Sequence, residues 1–409
     1  MPRALRSTVS WTTAVARRAI ARRRASGRAA STATTREAQR VLVLTGPTGV
    51  GKSSVAIEIA SRATRGRFEI VSCDSVQIYK GLDVGSGKVT REQRGRATHH
   101  MLDERDARVE SEEYDAAAYY DDCVRTLREI RDRGNVAIVV GGAGMYLKWL
   151  TDGKPTAPAS TSETRERAAR EIGEARERGG WRAACDALVG LGDEDTARGL
   201  SENDWYRLTR AYEILLASGR TVSSYDRASP DERFDFRCFF LSAPRVELYR
   251  KIDERVENMI LNGIMDEAAW LLDAGIAPGG NVAARAIGYR QAMEYLAKAR
   301  AKDIDVSADT LLELLKEIQG LNRAYAKRQF TWFRGESKYL WIDASSSCED
   351  IARRVLTEFE CDEHHAGGEQ MADVSKEELE VLKRYRPHLS VLSDASAMER
   401  VLDRIRALI

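Results

Sequence analysis

Residues 41–44 form an unbroken apolar run, Val-Leu-Val-Leu, and a Gly-Pro turn follows at 46–47. A run this short, bounded by a turn signal, predicts a strand buried on both faces, as in a parallel sheet. A helix is predicted over 51–63, with Val55, Ile57 and Ile59 among its apolar positions. Residues 68–73 predict a second strand that ends at Asp74. Residues 109–133 predict a helix stopped by Gly134, and 136–140 a further buried strand ending in Gly141-Gly142. This alternation predicts an α/β fold with a doubly wound parallel sheet.

After Leu150 the pattern changes. Residues 151–162 are rich in Pro, Thr, Ala and Ser and predict a linker. Residues 163–178 are charged and helical, with Gly179-Gly180 as a stop, and 201–218 predict another helix closed by Gly219. The region 152–232 is therefore expected as a helical insertion in a core built from 41–151 and 233–360. The second part of that core is expected to hold a strand at 236–241, helices at 244–263, 264–275, 281–296 and 309–333, and a last strand at 339–342. Beyond Cys361 the chain turns polar, and 361–409 is expected as a tail dispensable for catalysis, joined at 364–368. No internal repeat is visible.

Charge changes one part of this picture. Residues 1–40 carry ten Arg, no Lys and a single acid, Glu37, a net +9; the whole chain is +1, so residues 41–409 sum to −8. An Arg-rich, acid-poor segment with many Ala, Ser and Thr has the composition of a transit peptide, which leads to a plastid or a mitochondrion as the expected location. The body is acidic, so nucleic-acid binding would need a local basic patch. No run approaches the roughly 18 apolar residues that span a bilayer, so no membrane segment is expected. The six Cys include no CxxC pair, and Cys361, His364 and His365 lack zinc-finger spacing, so no zinc site is expected. No dimer stripe is visible, and a monomer is expected.

The candidate chemistry centres on Gly46-Pro47-Thr48-Gly49-Val50-Gly51-Lys52-Ser53. This matches the P-loop pattern in full, with a strand before it and a helix after it. The glycines let backbone N–H groups wrap phosphate oxygens, and the helix N-terminus favours negative charge. Lys52 would face the terminal phosphates, and the Ser53 hydroxyl is placed to bind Mg²⁺. The loop implies a diphosphate or triphosphate ligand without naming a reaction. Asp74, at the carboxyl end of the second strand, would point into the same crevice as a base or a metal partner. The same residue could instead cap the segment that follows it.

Further blocks follow in order: Gly81–Lys88, His99–Asp103, Gly141–Tyr146, Asn203–Arg210, 250–259, Ile287–Arg290 and Tyr325–Arg334. With the P-loop and Asp74-Ser75-Val76-Gln77, these blocks resemble the tRNA dimethylallyltransferases, over roughly residues 41 to 343. The resemblance implies a P-loop NTPase-like sheet core with an inserted helical domain. It implies transfer of a dimethylallyl group from dimethylallyl diphosphate to the exocyclic amine of an adenine beside the anticodon. The P-loop and Mg²⁺ would hold the diphosphate leaving group, with Lys52 stabilising its charge. Asp74 would take the amine proton.

By the same resemblance Asp74, Ser75, Val76 and Gln77 meet the target nucleotide. Ala143, Arg165 and the run Tyr206, Arg207, Leu208, Thr209, Arg210 meet tRNA. Arg255, Lys88, Lys327 and Arg328 are candidates for the donor diphosphate or the tRNA backbone. His99 and His100 are expected in a structural role. Ala143 stands where the family usually has Thr, Tyr206 where it has Gln, and Val89 where it has Pro; no C-terminal zinc finger is present. The nearest rival activity is that of an adenylate isopentenyltransferase acting on AMP, ADP or ATP. The helical insertion and the Tyr325–Arg334 block favour tRNA, because a free nucleotide needs no docking surface. The phosphate loop would also suit a small-molecule kinase or a non-catalytic P-loop RNA-binding protein.

Overall fold

Six short strands pair in parallel; five of them are mostly apolar and bury most of their side chains, and the sixth is the half-buried pair His99–His100. The computed structural model describes residues 38–62, 67–109, 114–362, 376–387 and 389–409. The Arg-rich arm up to residue 37 and the joint at 364–368 lie outside the described residues. Residues Gln39–Ile409 form one unit.

The strands are β1 (Gln39–Thr45), β2 (Phe68–Cys73), β3 (His99–His100), β4 (Val136–Gly141), β5 (Phe234–Ser242) and β6 (Tyr339–Asp343). Their order in the sheet is β3-β2-β4-β1-β5-β6, and every pairing is parallel. Leu42 sits opposite Ile138 in the β1–β4 register, and Val71 opposite Val139 in β2–β4. The carboxyl ends of β1, β4 and β2 therefore lie side by side. In an open parallel sheet this rim is where ligands bind.

Helices of two turns or more flank the sheet and fill the insertion: α1 (Lys52–Arg62), α2 (Ala116–Asp132), α3 (Gly144–Asp152), α4 (Ser162–Gly190), α5 (Trp205–Ser218), α6 (Arg245–Asn262), α7 (Ile264–Asp273), α8 (Tyr289–Arg300), α9 (Ala308–Arg334), α10 (Cys348–Glu360), α11 (Lys376–Arg384) and α12 (Ala395–Arg406). Among the described residues no helix is long and apolar enough to cross a membrane.

Several elements depart from the sequence pattern. The helix expected from 109 starts at Ala116, because the Asp115 side chain accepts from the Ala117 and Ala118 amides and caps it there. The stretch 281–296 is broken at Gly288, whose φ of 96° admits no helix, into Val282–Arg285 and α8. Gly179 and Gly180, by contrast, do stop the helix as expected: their backbone angles are not helical, and α4 is two helical segments joined there. The strand β3 has only two residues and leaves no periodicity to read.

Residues within 152–232 build a separate hydrophobic cluster. Ala168, Ile172 and Leu188 of α4 pack against Leu208, Ala211 and Leu215 of α5. Trp181 meets Trp205 edge to face at 5.1 Å. The neck of this region is an antiparallel bridge between Pro155 and Arg227.

The expected polar tail is different in the structure. Met398, Val401, Leu402 and Ile405 of α12 lie in the main core, as does Leu392 before it. Those four positions fall at i, i+3, i+4 and i+7, one face of an amphipathic helix. The charges of the opposite face hid that stripe in the composition.

Candidate active site

The P-loop leaves β1 and turns on three glycines with φ of 151°, 82° and 99° at Gly46, Gly49 and Gly51. A Cβ on Gly46 would meet the Leu241 carbonyl oxygen at 2.5 Å, so only glycine fits there. The Val50 side chain is buried, which leaves only its backbone to face the loop's concave side. Lys52 opens α1, and its Nζ donates to the Gly46 and Pro47 carbonyls, each at 2.9 Å. The Ser53 side chain, next on the helix, is exposed.

Arg255 enters from α6. Its Nη1 donates to the Thr48 hydroxyl at 3.1 Å, and its guanidinium lies over Gly87, where a Cβ would be 2.0 Å from Nη2. Burial, and then the charge of Arg255, lower the Lys52 pKa to about 7, with Asp74 opposing both. Burial also lowers Arg255, again opposed by Asp74. Two crowded cations facing one carboxylate make a site that gains by receiving an anion.

This has a measurable sign. Between about 7 and the ordinary value of 10.5, the unfolded chain holds a proton on Lys52 that the folded, empty protein lacks. Stability conferred by this group therefore rises with pH across that window. An entering diphosphate draws the proton back. Binding of inorganic diphosphate at pH 8 is expected to take up a proton, read from the dependence of calorimetric heat on buffer ionisation. The uptake should vanish at pH 6 and in Lys52→Met; uptake that persists in the variant would place the proton on another group.

Asp74 follows β2. Its Oδ1 accepts from the Val76 amide at 2.8 Å and the Gln77 amide at 3.3 Å, an Asx turn that fixes the carboxyl at the rim. Val76 itself is buried. Gln77 accepts from the Ser72 hydroxyl at 2.9 Å and donates to the Ser86 carbonyl at 3.2 Å, which ties this turn to the loop at 81–88. That loop is held from below. Glu267 of α7 accepts from the amides of Asp83 and Val84, each at 2.7 Å, and of Gly85 at 2.9 Å. The Tyr289 hydroxyl donates to Glu267 at 2.7 Å and accepts from the Ser86 amide at 3.1 Å.

The far wall comes from α9. Gln329, 4% exposed, accepts from the Thr48 amide at 2.9 Å and donates to the Gly142 carbonyl at 3.1 Å. Tyr325, one turn earlier, donates to the same carbonyl at 3.3 Å. Burial, with Asp74 next, raises its phenol well above the usual range, so it stays a neutral donor. A Cβ on Gly142 would fall 2.2 Å from the Gln329 amide nitrogen. The cleft so enclosed has a volume of about 280 Å³, and Thr48, Lys52, Ser53, Asp74, Gln77 and Arg255 all line it. In the sequence Gln329 and Tyr325 stand inside the block Tyr325–Arg334 with no task of their own. Their signal was the i, i+4 spacing that puts both on one face of a helix.

Other candidates lie elsewhere. Tyr206 is 75% exposed at the start of α5. Arg207, also exposed, pairs loosely with Asp204 at 3.2 Å. Thr209 is half-buried and Arg165 exposed. Leu208 is wholly buried in the insertion's cluster and contacts no solvent, because one turn of a packed helix shows only one side. Arg210 is already engaged: it donates to the Pro158 carbonyl at 2.7 Å and to Ser160, and it pairs with Glu213 at 3.1 Å. It pins the linker instead of reaching out for a phosphate.

Lys88 is likewise withdrawn. Its side chain is 1% exposed and is held by Asp83 at 2.8 Å and Asp103 at 2.5 Å. Ala143 sits before α3 at the rim and gives no side-chain cap. Lys327 and Arg328 are exposed on α9, with Arg328 over the Tyr325 ring at 5.7 Å. His100 meets Glu69 at 2.5 Å, and His99 meets the Ala97 carbonyl at 2.8 Å, both away from the cleft-lining residues. No cluster of three or more His, Cys, Asp or Glu able to hold a metal occurs among the described residues.

The family model described as IPP transferase matches residues 77–336. The chain is 40% identical over 356 residues to tRNA dimethylallyltransferase 9 of Arabidopsis thaliana, covering 79% of this chain and 75% of that protein. It is 36% identical over 325 residues to the tRNA dimethylallyltransferase of Protochlamydia amoebophila, covering 79% and 89%. Among solved structures it is similar to the tRNA isopentenylpyrophosphate transferase of Bacillus halodurans, with a TM-score of 0.54, 28% identity and coverage of 79% and 97%.

Proposed function

Because the chain belongs to the IPP transferase family, with tRNA dimethylallyltransferases as its relatives, we propose that it moves a dimethylallyl group from dimethylallyl diphosphate to the exocyclic amine of the adenine 3′ of the anticodon in tRNA. One observation carries the chemistry. Across a single cleft, the Asp74 carboxylate faces Lys52 of the P-loop and Arg255 of α6, both lowered by burial and pulled back by Asp74.

In this reaction the amine nitrogen bonds to the first carbon of the prenyl group as that carbon's bond to diphosphate oxygen breaks. Charge grows on the leaving diphosphate, where Lys52, Arg255 and the P-loop amides stabilise it. The amine proton passes to Asp74, an acceptor held in place by two amides. The adenine must leave the anticodon-loop stack to reach the cleft. Exposed Tyr206, Arg207, Arg165, Lys327 and Arg328 are the side chains left to meet the RNA, with a Tyr suited to stacking and the cations to phosphates.

Mg²⁺ fits the donor set. The exposed Ser53 hydroxyl is a hard oxygen ligand at the cleft, and substrate phosphates commonly complete such a shell. When bound, the ion neutralises charge on the diphosphate.

The test uses protein lacking residues 1–37, which keeps β1 whole, with labelled dimethylallyl diphosphate. It offers an anticodon stem-loop with adenine 3′ of the anticodon and, separately, AMP and ATP. Label on the RNA alone is expected. Label on free nucleotide would instead make the protein an adenylate isopentenyltransferase, and label on neither would overturn the transfer reading.

A further inference from the structure

Two buried carboxylates on α6 face away from the cleft. Asp253 and Glu257 are 1% and 0% exposed, one turn apart on the same face of the helix. Arg255 lies between them in sequence and roughly half a turn round the axis. Glu257 has no Lys or Arg partner among the described residues. Its carboxylate instead accepts the amides of Ser390 at 3.0 Å and of Val391 and Leu392 at 2.8 Å each, with the Ser390 hydroxyl at 3.1 Å.

Asp253 accepts from the Tyr385 hydroxyl at 2.7 Å and pairs with Arg323. The Arg323 guanidinium lies over the Tyr385 ring at 5.6 Å, and Tyr249 of α6 packs edge-on against that ring, also at 5.6 Å. Arg323 sits on α9, two residues before Tyr325.

These contacts join three pieces. The helix that carries Arg255, the helix that carries Tyr325 and Gln329, and the C-terminal segment meet at Tyr385 and Asp253. A carboxylate as buried as Asp253 needs its remaining hydrogen-bonding positions filled beyond the pair with Arg323, and Tyr385 fills one of them. The segment lies beyond residue 336, where the family match ends.

We propose that Tyr385 and Glu257 are positioning residues of the donor site. The C-terminal segment sets the spacing of α6 and α9, and through it the reach of Arg255 to Thr48 and of Gln329 to the P-loop. Neither residue lines the cleft, so both act through others. The proposal rests on the reading that this cleft holds the donor's diphosphate.

The experiment compares Tyr385→Phe with Arg300→Gln in the full chain. Arg300 holds the same C-terminal region, through the Leu408 carbonyl at 2.8 Å, but binds Asp273 of α7 at 2.7 Å and touches neither Asp253 nor Glu257. Tyr385→Phe should raise the KM for dimethylallyl diphosphate about three- to tenfold, within the range of coupling effects from sites off the ligand. The KM for the stem-loop should stay unchanged. Arg300→Gln should lower the melting temperature and leave the donor KM unchanged. A donor KM that is unmoved in Tyr385→Phe, or moved equally in both variants, overturns the proposal. Calorimetry with inorganic diphosphate separates the two readings: a wild-type chain that binds no diphosphate overturns the donor reading itself, whereas equal binding by wild type and Tyr385→Phe overturns only the positioning role.

Discussion

Exchange of Asp74 for Asn is expected to lower kcat for transfer to the anticodon stem-loop by about 10²- to 10⁴-fold, the usual contribution of a positioned base. The variant keeps the oxygen that accepts from Val76 and Gln77, so the turn survives. What it loses is the ability to take the amine proton. Its melting temperature should therefore move little, and its affinity for inorganic diphosphate should hold or rise, because a negative charge across the cleft is gone. Single-turnover transfer of labelled prenyl group measures the first effect and calorimetry the second. A loss smaller than about tenfold would move the base to another group, such as a water ordered at the rim.

Gln329→Leu is expected to lower kcat/KM by roughly 10²-fold, the cost of misplacing reacting groups by about 1 Å. Gln329 is a link between two loops: it accepts from the Thr48 amide and donates to the Gly142 carbonyl. A leucine of similar volume fills the space, leaves the Thr48 amide without its partner and leaves the Gly142 carbonyl to Tyr325 alone. A buried amide orphaned in this way costs about 1–3 kcal/mol, so the melting temperature should fall too. Gln329→Glu separates the two contacts, since it keeps an acceptor for Thr48 but has no donor for Gly142. An unchanged kcat/KM in both variants would mean that the P-loop keeps its shape without α9.

Asp74 and Gln329 were not equally legible in the sequence. The P-loop and the place of Asp74 at the cleft could be read directly, because each belongs to a contiguous segment whose conformation is set within a few residues; the base role of Asp74 came from the family resemblance. Glycines that must take positive φ, a lysine at a helix start and a carboxylate at a strand end carry their meaning locally. The strands of the sheet were legible for a similar reason, since burial on both faces leaves an all-apolar run. Arg255 was reached only through family likeness, and Gln329 and Tyr325 were read as part of a block with no task of their own. They lie far along the chain from the P-loop, and nothing near them in sequence says which wall they complete.

The errors have the same origin. Leu208 and Arg210 sit in a run that the resemblance treats as one tRNA-facing surface. A packed helix turns its residues in different directions, so Leu208 goes to the core and Arg210 to the linker. Lys88 has the charge for a phosphate but is already neutralised by Asp83 and Asp103. The segment beyond residue 376 looked polar because its composition averages an apolar stripe with a charged face. By itself, then, the sequence determined the alternating α/β core, the phosphate loop and the carboxylate at the end of β2, since these follow from local backbone geometry and hydrophobic period. Only the tertiary structure decided which distant charges are spent on each other and which face the cleft, and that the C-terminal helix belongs to the core, because those outcomes depend on pairings between residues that sequence separation does not record.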